Sequence, residues 1–261
     1  MRTLPALLVL AGFLTACQSN PPASDPSTNK TDSMNSAANS APADNTLTEE
    51  EKQNGWQLLF DGSTKNGWHI FKNSSDGAAW MVSDGTLHLD SSNKKDGRVV
   101  GGGDIITDSA FDNFHLKLEW KVDSGGNSGV IFYVKEDPSY DATWHTGPEM
   151  QVLDDAAHRD ASIEKHRAGD LYDLIAGTPG KVNPAGQWNL VEIIADKGRL
   201  TFIVNGTETL TTTLWDDNWK KLVAGSKFRI NKDFGLFKSG KIALQDHGDP
   251  VWYRNIKIRK L

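Results

Sequence analysis

The sequence predicts an all-β fold, a two-sheet antiparallel β-sandwich, and three patterns carry that expectation. Asp84-Gly85 and Asn205-Gly206 each separate two alternating apolar runs, and both pairs tolerate the positive φ that a two-residue hairpin turn requires. From Phe114 to Val122 every second residue is apolar, the period of a strand buried on one face. Apolar spacing of 3.6 residues is confined to short pieces, too little for a helical layer.

Taken in order, the chain opens with Met1-Arg2, an apolar run from Leu4 to Leu14, and the small residues Thr15-Ala16. That is the layout of a secretory signal, too short to span a bilayer. Leu14-Thr15-Ala16-Cys17 resembles a bacterial lipobox, which implies cleavage before Cys17 and a lipid on its sulfur. Acyl chains contribute about 0.8 kcal/mol per buried methylene, so two or more hold a protein on a membrane without spanning it. The expected location is the bacterial cell envelope, and Gln18 after the cysteine fits outer-membrane sorting. Up to position 46 the composition is Ser, Asn, Ala, Pro, Asp and Thr with almost no large apolar residue. Such a segment cannot offset the entropy of ordering itself and reads as a flexible tether. The expected organisation is a leader at 1–16, a tether at 17–46 lipidated at Cys17, and one folded domain at 47–261.

Within that domain Thr48 and Glu51 have the spacing of a capping box for a short helix. Strands are expected on either side of each hairpin turn, over Phe114 to Val122, and over Val130 to Val134, whose unbroken apolarity suggests a central strand. Further strands fit Trp188 to Ala195, Gly240 to Gln245 and Val251 to Arg259. All nine tryptophans lie beyond position 55, so the aromatic-rich part is the folded part. A net charge of -6 argues against nucleic acid as partner. Cys17 is the only cysteine, which excludes an internal disulfide or a cysteine metal cage.

The chemistry centres on Gly147 to Asp155. Read as a strand, this run sends Met150 and Val152 into a core while Glu149 and Gln151 face solvent. A β-bulge would return Asp154 to the side of Glu149, pairing two carboxylates. The competing reading is an ordinary exposed strand with acids pointing at water. A second polar turn, Gln245-Asp246-His247-Gly248, sets an amide, an acid and an imidazole in one bend. Asp246 could orient His247 for proton exchange near neutral pH, or bond backbone amides as an Asx turn. Glu149, Asp154, His158 and His247 are candidate ligands for a divalent metal ion, though no compact ligand motif occurs. The glycine clusters lack the frame of a phosphate loop, and no Gly-x-Ser-x-Gly elbow is present.

Several ordered segments resemble one family. Leu59-Phe60-Asp61-Gly62, Gly67-Trp68, Leu118-Glu119-Trp120-Lys121, Gly126-Asn127-Ser128-Gly129, Gly147 to Asp154, Ala168 to Asp173, Gly186 to Asn189 and Ile242 to Gly248 are similar to the bacterial 3-keto-disaccharide hydrolase domain. The match covers about residues 54 to 261. The resemblance implies a concanavalin A-like jelly roll whose concave sheet binds sugars, and action on glycosides with a ketone at glucose C3. Glu149-x-Gln151-x-x-Asp154 is also similar to the two-carboxylate strand of family 16 glycoside hydrolases, but the middle acid is missing and Asp154 is one methylene shorter. Retaining hydrolysis wants carboxyls about 5 to 5.5 Å apart.

A 3-keto sugar needs less, because the ketone acidifies the C2 proton and the C1 oxygen can leave by β-elimination. The resemblance then implies Glu149 or His158 as base and His247 as acid or partner base. Asn127, Gln151 and Gln245 would donate to the enolate or hydroxyls, Trp144 and Tyr172 would contact the sugar, and Asp154 and Asp246 would orient. The alternative is a lipid-anchored lectin-like module that binds glycans without cleaving them. Either way the expected partner is a glycan or small 3-keto glycoside.

Overall fold

Side-chain alternation decides how the strands stack. Between Phe114 and Val122 the five apolar residues are buried while the four between them are half-buried, so this strand belongs to a sheet with one face on the core. Asn127–Val134 is buried at every position, and the unbroken apolarity of its stretch Val130 to Val134 is what a strand covered on both faces requires.

The computed structural model describes residues 43–261. The leader, Cys17 and most of the tether lie outside the described residues. In chain order the strands are β1 (Trp56–Leu58), β2 (Trp68–Ile70), β3 (Trp80–Ser83), β4 (Thr86–Leu89), β5 (Lys94–Lys95), β6 (Arg98–Val99), β7 (Ile105–Thr107), β8 (Phe114–Val122), β9 (Asn127–Val134), β10 (Glu149–Leu153), β11 (Asn189–Asp196), β12 (Arg199–Val204), β13 (Thr207–Thr213), β14 (Lys241–Leu244) and β15 (Val251–Lys260). An eight-stranded antiparallel sheet runs β13-β12-β11-β8-β15-β4-β3, with β1 also on β15. A five-stranded sheet runs β10-β9-β14-β7-β2, and β5 pairs only with β6. Both expected hairpins form, with Asp84 and Gly85 at φ 48° and 69° and Asn205 and Gly206 at 48° and 79°.

The two sheets enclose a core that includes Trp80, Leu118, Trp120, Phe132, Met150, Phe202 and Tyr253. Ser128 lies among these residues on the inner face of β9, its hydroxyl 2.8 Å from that of Tyr253 on the other sheet and donating to Gln245 O at 2.6 Å. Because paired residues in an antiparallel ladder share a face, Asn127, Gly129 and Ile131 of β9 lie with Leu153, Gln151 and Glu149 of β10 on the outer face. Ile131 there packs with Ile106, Val134 and Ala243 in a small second cluster.

The short helix α1 (Glu49–Gln53) carries the expected reciprocal capping box between Thr48 and Glu51. Packing starts ahead of the expected boundary at 47, since Asn45 is buried and bonds both Asn255 and Gly85. The connection from β13 to β14 holds α2 (Asp217–Ala224), capped by the Asp216 carboxylate on the Trp219 amide, and then a 3-10 turn over Lys227–Ile230. Trp219 is buried under this connection, and Phe228 stacks on Phe234 with ring centroids 4.0 Å apart. The connection roofs the outer face of β9 and β10.

Candidate active site

Beneath that roof is a cleft of about 390 Å³ lined by residues from six stretches of chain. Asn127 comes from β9, Glu149 and Gln151 from β10, Trp144 from the turn before it, and Tyr172 from the segment after it. Gln245 and His247 follow β14, and Lys227, Phe228, Ile230 and Asn231 descend from the roof.

Glu149 and Gln151 do share the outer face, but that face is not the solvent-exposed one expected from sequence. Glu149 is 4% exposed and Gln151 2%. Three backbone bonds explain part of the cover: Gly169 N–H donates to Gln151 O, Gln151 N–H to Asp170 O, and Tyr172 N–H to Glu149 O, at 2.9 to 3.0 Å. The returning chain thus pairs with the strand and brings Tyr172 alongside. The Glu149 side chain folds over Gly129, where an added Cβ would lie 2.1 Å from its Oε1. Gly129 is therefore required for close approach. With its amide nitrogen turned toward them, Gln151 donates to Ser128 O and to Glu149 Oε1, both at 3.0 Å.

Burial pushes the Glu149 carboxyl up to about 8, opposed by the Lys227 ammonium and reinforced by Asp104. The same burial holds Lys227 below the usual ammonium range, while Glu149 pulls the other way. Lys227 Nζ sits 4.0 Å from the centroid of the Tyr172 ring, and its backbone N–H donates to Asp173 at 2.6 Å. A buried acid near neutrality beside a partly desolvated cation can exchange a proton and stabilise an oxyanion in one place. Asn127 adds a buried Oδ1 with no hydrogen-bond partner among the described residues.

His247 is held below its ordinary value chiefly by burial, with His158 adding to the effect and Asp249 opposing it, so it is neutral at pH 7. His158 does not line the cleft. It stands beside His247, rings edge-on with centroids 6.3 Å apart, and accepts the Asp160 amide on Nδ1 at 3.2 Å. Of the two base candidates only Glu149 reaches the cleft.

Asp246 behaves as the Asx turn rather than as a partner of the imidazole. Its Oδ1 accepts Gly248 N–H at 2.8 Å and its Oδ2 accepts Gly103 N–H at 2.7 Å. Asp104 answers this contact, accepting Asp246 N–H on Oδ1 at 2.9 Å and the Thr143 hydroxyl on Oδ2. Burial raises its carboxyl to about 6. The reciprocal clasp ties the loop of His247 to the turn of Trp144. Asp104 and the roof residues Lys227, Phe228, Ile230 and Asn231 were absent from the sequence expectations. The only forward signal was the Gly101-Gly102-Gly103 cluster before Asp104, whose function is room: a Cβ on Gly102 would lie 2.2 Å from Asp246 Oδ2.

The expected bulge that would bring Asp154 beside Glu149 does not form. The β9–β10 register is unbroken from Glu149 opposite Ile131 to Leu153 opposite Asn127. Asp154 instead accepts Gly125 N–H at 2.8 Å and Ala156 N–H at 3.0 Å, holding the loop before β9. The candidate metal set is likewise dispersed: among the described residues no three His, Cys, Asp or Glu side chains are grouped to share an ion.

A family model for the 3-keto-alpha-glucoside-1,2-lyase-like domain matches residues 55–259. The chain belongs to this family. The 3-keto-alpha-glucoside-1,2-lyase-like domain therefore accounts for the whole sandwich. A 3-keto-disaccharide hydrolase of Bacteroides thetaiotaomicron is 33% identical over 228 residues, 79% of this chain and 79% of that protein. Among solved structures, a Parabacteroides distasonis protein described as a glycosyl hydrolase superposes with a TM-score of 0.76 at 33% identity, over 84% of this chain and 100% of the other. A second from that organism, described the same way, gives 0.56 at 25% identity over 79% and 84% of the two chains. The 3-keto-alpha-glucoside-1,2-lyase-like domain is thus a two-sheet jelly roll with its cleft on the outer face of the smaller sheet.

Proposed function

We propose that this enzyme cleaves 3-keto glycosides at the C1–oxygen bond by β-elimination, with Glu149 as the base. One observation carries the mechanism: among the described residues Glu149 is the only carboxylate lining the cleft. Double-carboxylate hydrolysis needs two. A 3-keto substrate needs one base, one oxyanion stabiliser and one donor to the leaving oxygen.

The Glu149 carboxylate removes the C2 proton, and the electron pair passes into a C2–C3 enolate whose oxygen is met by Lys227. When the C3 carbonyl re-forms, C1 and C2 become doubly bonded and the glycosidic oxygen leaves, taking a hydrogen bond from His247 and the proton that Glu149 removed from C2, which returns Glu149 to its carboxylate. Water then adds across the double bond, with hydroxyl at C1 and hydrogen at C2, releasing a 3-keto sugar. A base with pKa near the working pH suits this step, and Glu149 at about 8 meets that condition. Asn127, Gln151 and Gln245 hold hydroxyls, and Trp144 and Tyr172 flank the ring. The lipobox resemblance supports a mature protein that begins at Cys17 and is held at the cell envelope by lipid. Mass spectrometry of the mature N-terminus tests that placement.

The functional test compares a 3-keto disaccharide with its unoxidised parent. Glucose release from the keto substrate alone, with a primary isotope effect on deuteration at C2, is the expected result. Release from both substrates without an isotope effect refutes elimination. Binding without release points to a lectin-like module.

A further inference from the structure

A second, more open cleft of about 620 Å³ adjoins the first and shares two of its residues, Trp144 and His247. Trp144 is 39% exposed, so its ring forms part of the wall between the two spaces. The far wall is Phe71 after β2 and Arg98 of β6. Arg98 is placed by the tight β5–β6 hairpin, whose Asp96 and Gly97 turn at φ 52° and 78°. Asp141, paired with Lys72 at 3.3 Å, closes a side.

The dividing wall is built rather than incidental. Asp104 fixes Thr143, next to Trp144, and Asp246, next to His247, so both shared residues are held by one buried carboxyl. Two aromatic side chains, Phe71 and Trp144, offer apolar surface; of the three lining carboxylates Asp104 and Asp246 are engaged in the clasp, which leaves the Arg98 guanidinium and the Asp141 carboxylate, of opposite charge, to offer hydrogen bonds. That combination suits a neutral polyhydroxylated ring better than an anionic one. We propose that this second cleft seats the leaving sugar of a disaccharide substrate, so that the scissile bond crosses between the clefts beside His247. This rests on the elimination mechanism above for its direction: the keto sugar lies over Glu149, and the departing sugar lies over Phe71 and Arg98.

The experiment separates the subsite from the reaction by measuring binding and turnover independently. In the Glu149→Gln background, calorimetric affinities are compared for methyl 3-keto-α-glucoside, which fills only the first cleft, and 3-keto-trehalose, which reaches both. The disaccharide is expected to bind about tenfold more tightly. Adding Phe71→Ala or, at the exposed hairpin, Arg98→Ala should cut that advantage by about threefold or more and leave the methyl glycoside within about twofold. Equal affinity of the two ligands, or an advantage that survives both substitutions, overturns the subsite. Failure of the wild type to release glucose while the disaccharide advantage persists refutes the reaction and upholds the subsite. Absence of binding by both ligands overturns both.

Discussion

Gly129 offers the sharpest test of the site, because it contributes no side chain and acts only through space. In Gly129→Ala the new methyl would lie 2.1 Å from Glu149 Oε1 and 2.7 Å from its Cδ, against ordinary contact beginning at 3.4 Å. The carboxyl must therefore move by roughly 1 Å, and a displacement of that size at a reacting group costs about a hundredfold in rate. Expressed as transition-state stabilisation this is about 2.7 kcal/mol. The accompanying overpacking should lower stability by about 1–3 kcal/mol, leaving the protein folded at 25 °C. The assay is kcat/KM on a 3-keto glucoside, with thermal unfolding measured in parallel. The same substitution placed on Glu149→Gln should cost less than about threefold more, since the position of a carboxyl no longer matters there. Near-normal activity of Gly129→Ala, or a full hundredfold loss repeated in the Glu149→Gln background, would refute the claim that Gly129 serves by letting Glu149 lie across it.

The pH dependence follows from the same residue. A base must be deprotonated, so kcat/KM should climb as pH rises toward about 8; a profile that instead falls through that value would assign Glu149 the role of acid. Folding raises this carboxyl from 4.5 to about 8, so the folded state binds the extra proton across that window and stability from this group is lost as pH rises through it. Glu149→Gln should consequently melt higher than the parent at pH 9 and show little difference at pH 4. Lys227→Met removes the charge that lowers the Glu149 carboxyl, so the rising limb should move to higher pH while kcat/KM falls by about tenfold or more. Asp104→Asn removes an acceptor from the clasp and a charge that raises Glu149. It should reduce kcat by about tenfold through misplacement and move the limb to lower pH, a shift that a purely structural role would not produce.

Much of the cleft was legible because its floor is local. Glu149, Gln151, Asn127, Gln245 and His247 sit on or just beyond strands whose alternation declares their face, and the turns flanking those strands carry polar residues in short runs. The roof was not legible in the same way. Lys227 and Asn231 lie in a crossover with no strand period, and nothing near them in the chain says which sheet they will cover. That placement follows from tertiary packing, namely burial of Trp219 and Phe228 beneath the crossover. The error about exposure has the same source: alternation distinguished the two faces of β10, but the cover over the outer one comes from residues 20 to 80 positions downstream. Asp154 was misplaced for a different reason, since a bulge is a register event and the β9–β10 ladder had enough paired backbone to remain regular.

The pairing of β10 on both flanks has a consequence for how accurately the chain must assemble. On one side it meets β9 residue for residue, and on the other it exchanges backbone bonds with 169–172. A slip of a single residue would reverse the strand's two faces, driving Met150 into the cleft and burying the Glu149 charge between the sheets. Misregistered molecules would thus be inert and unstable together, so a proofreading step that recognises exposed apolar surface would also remove the inactive ones.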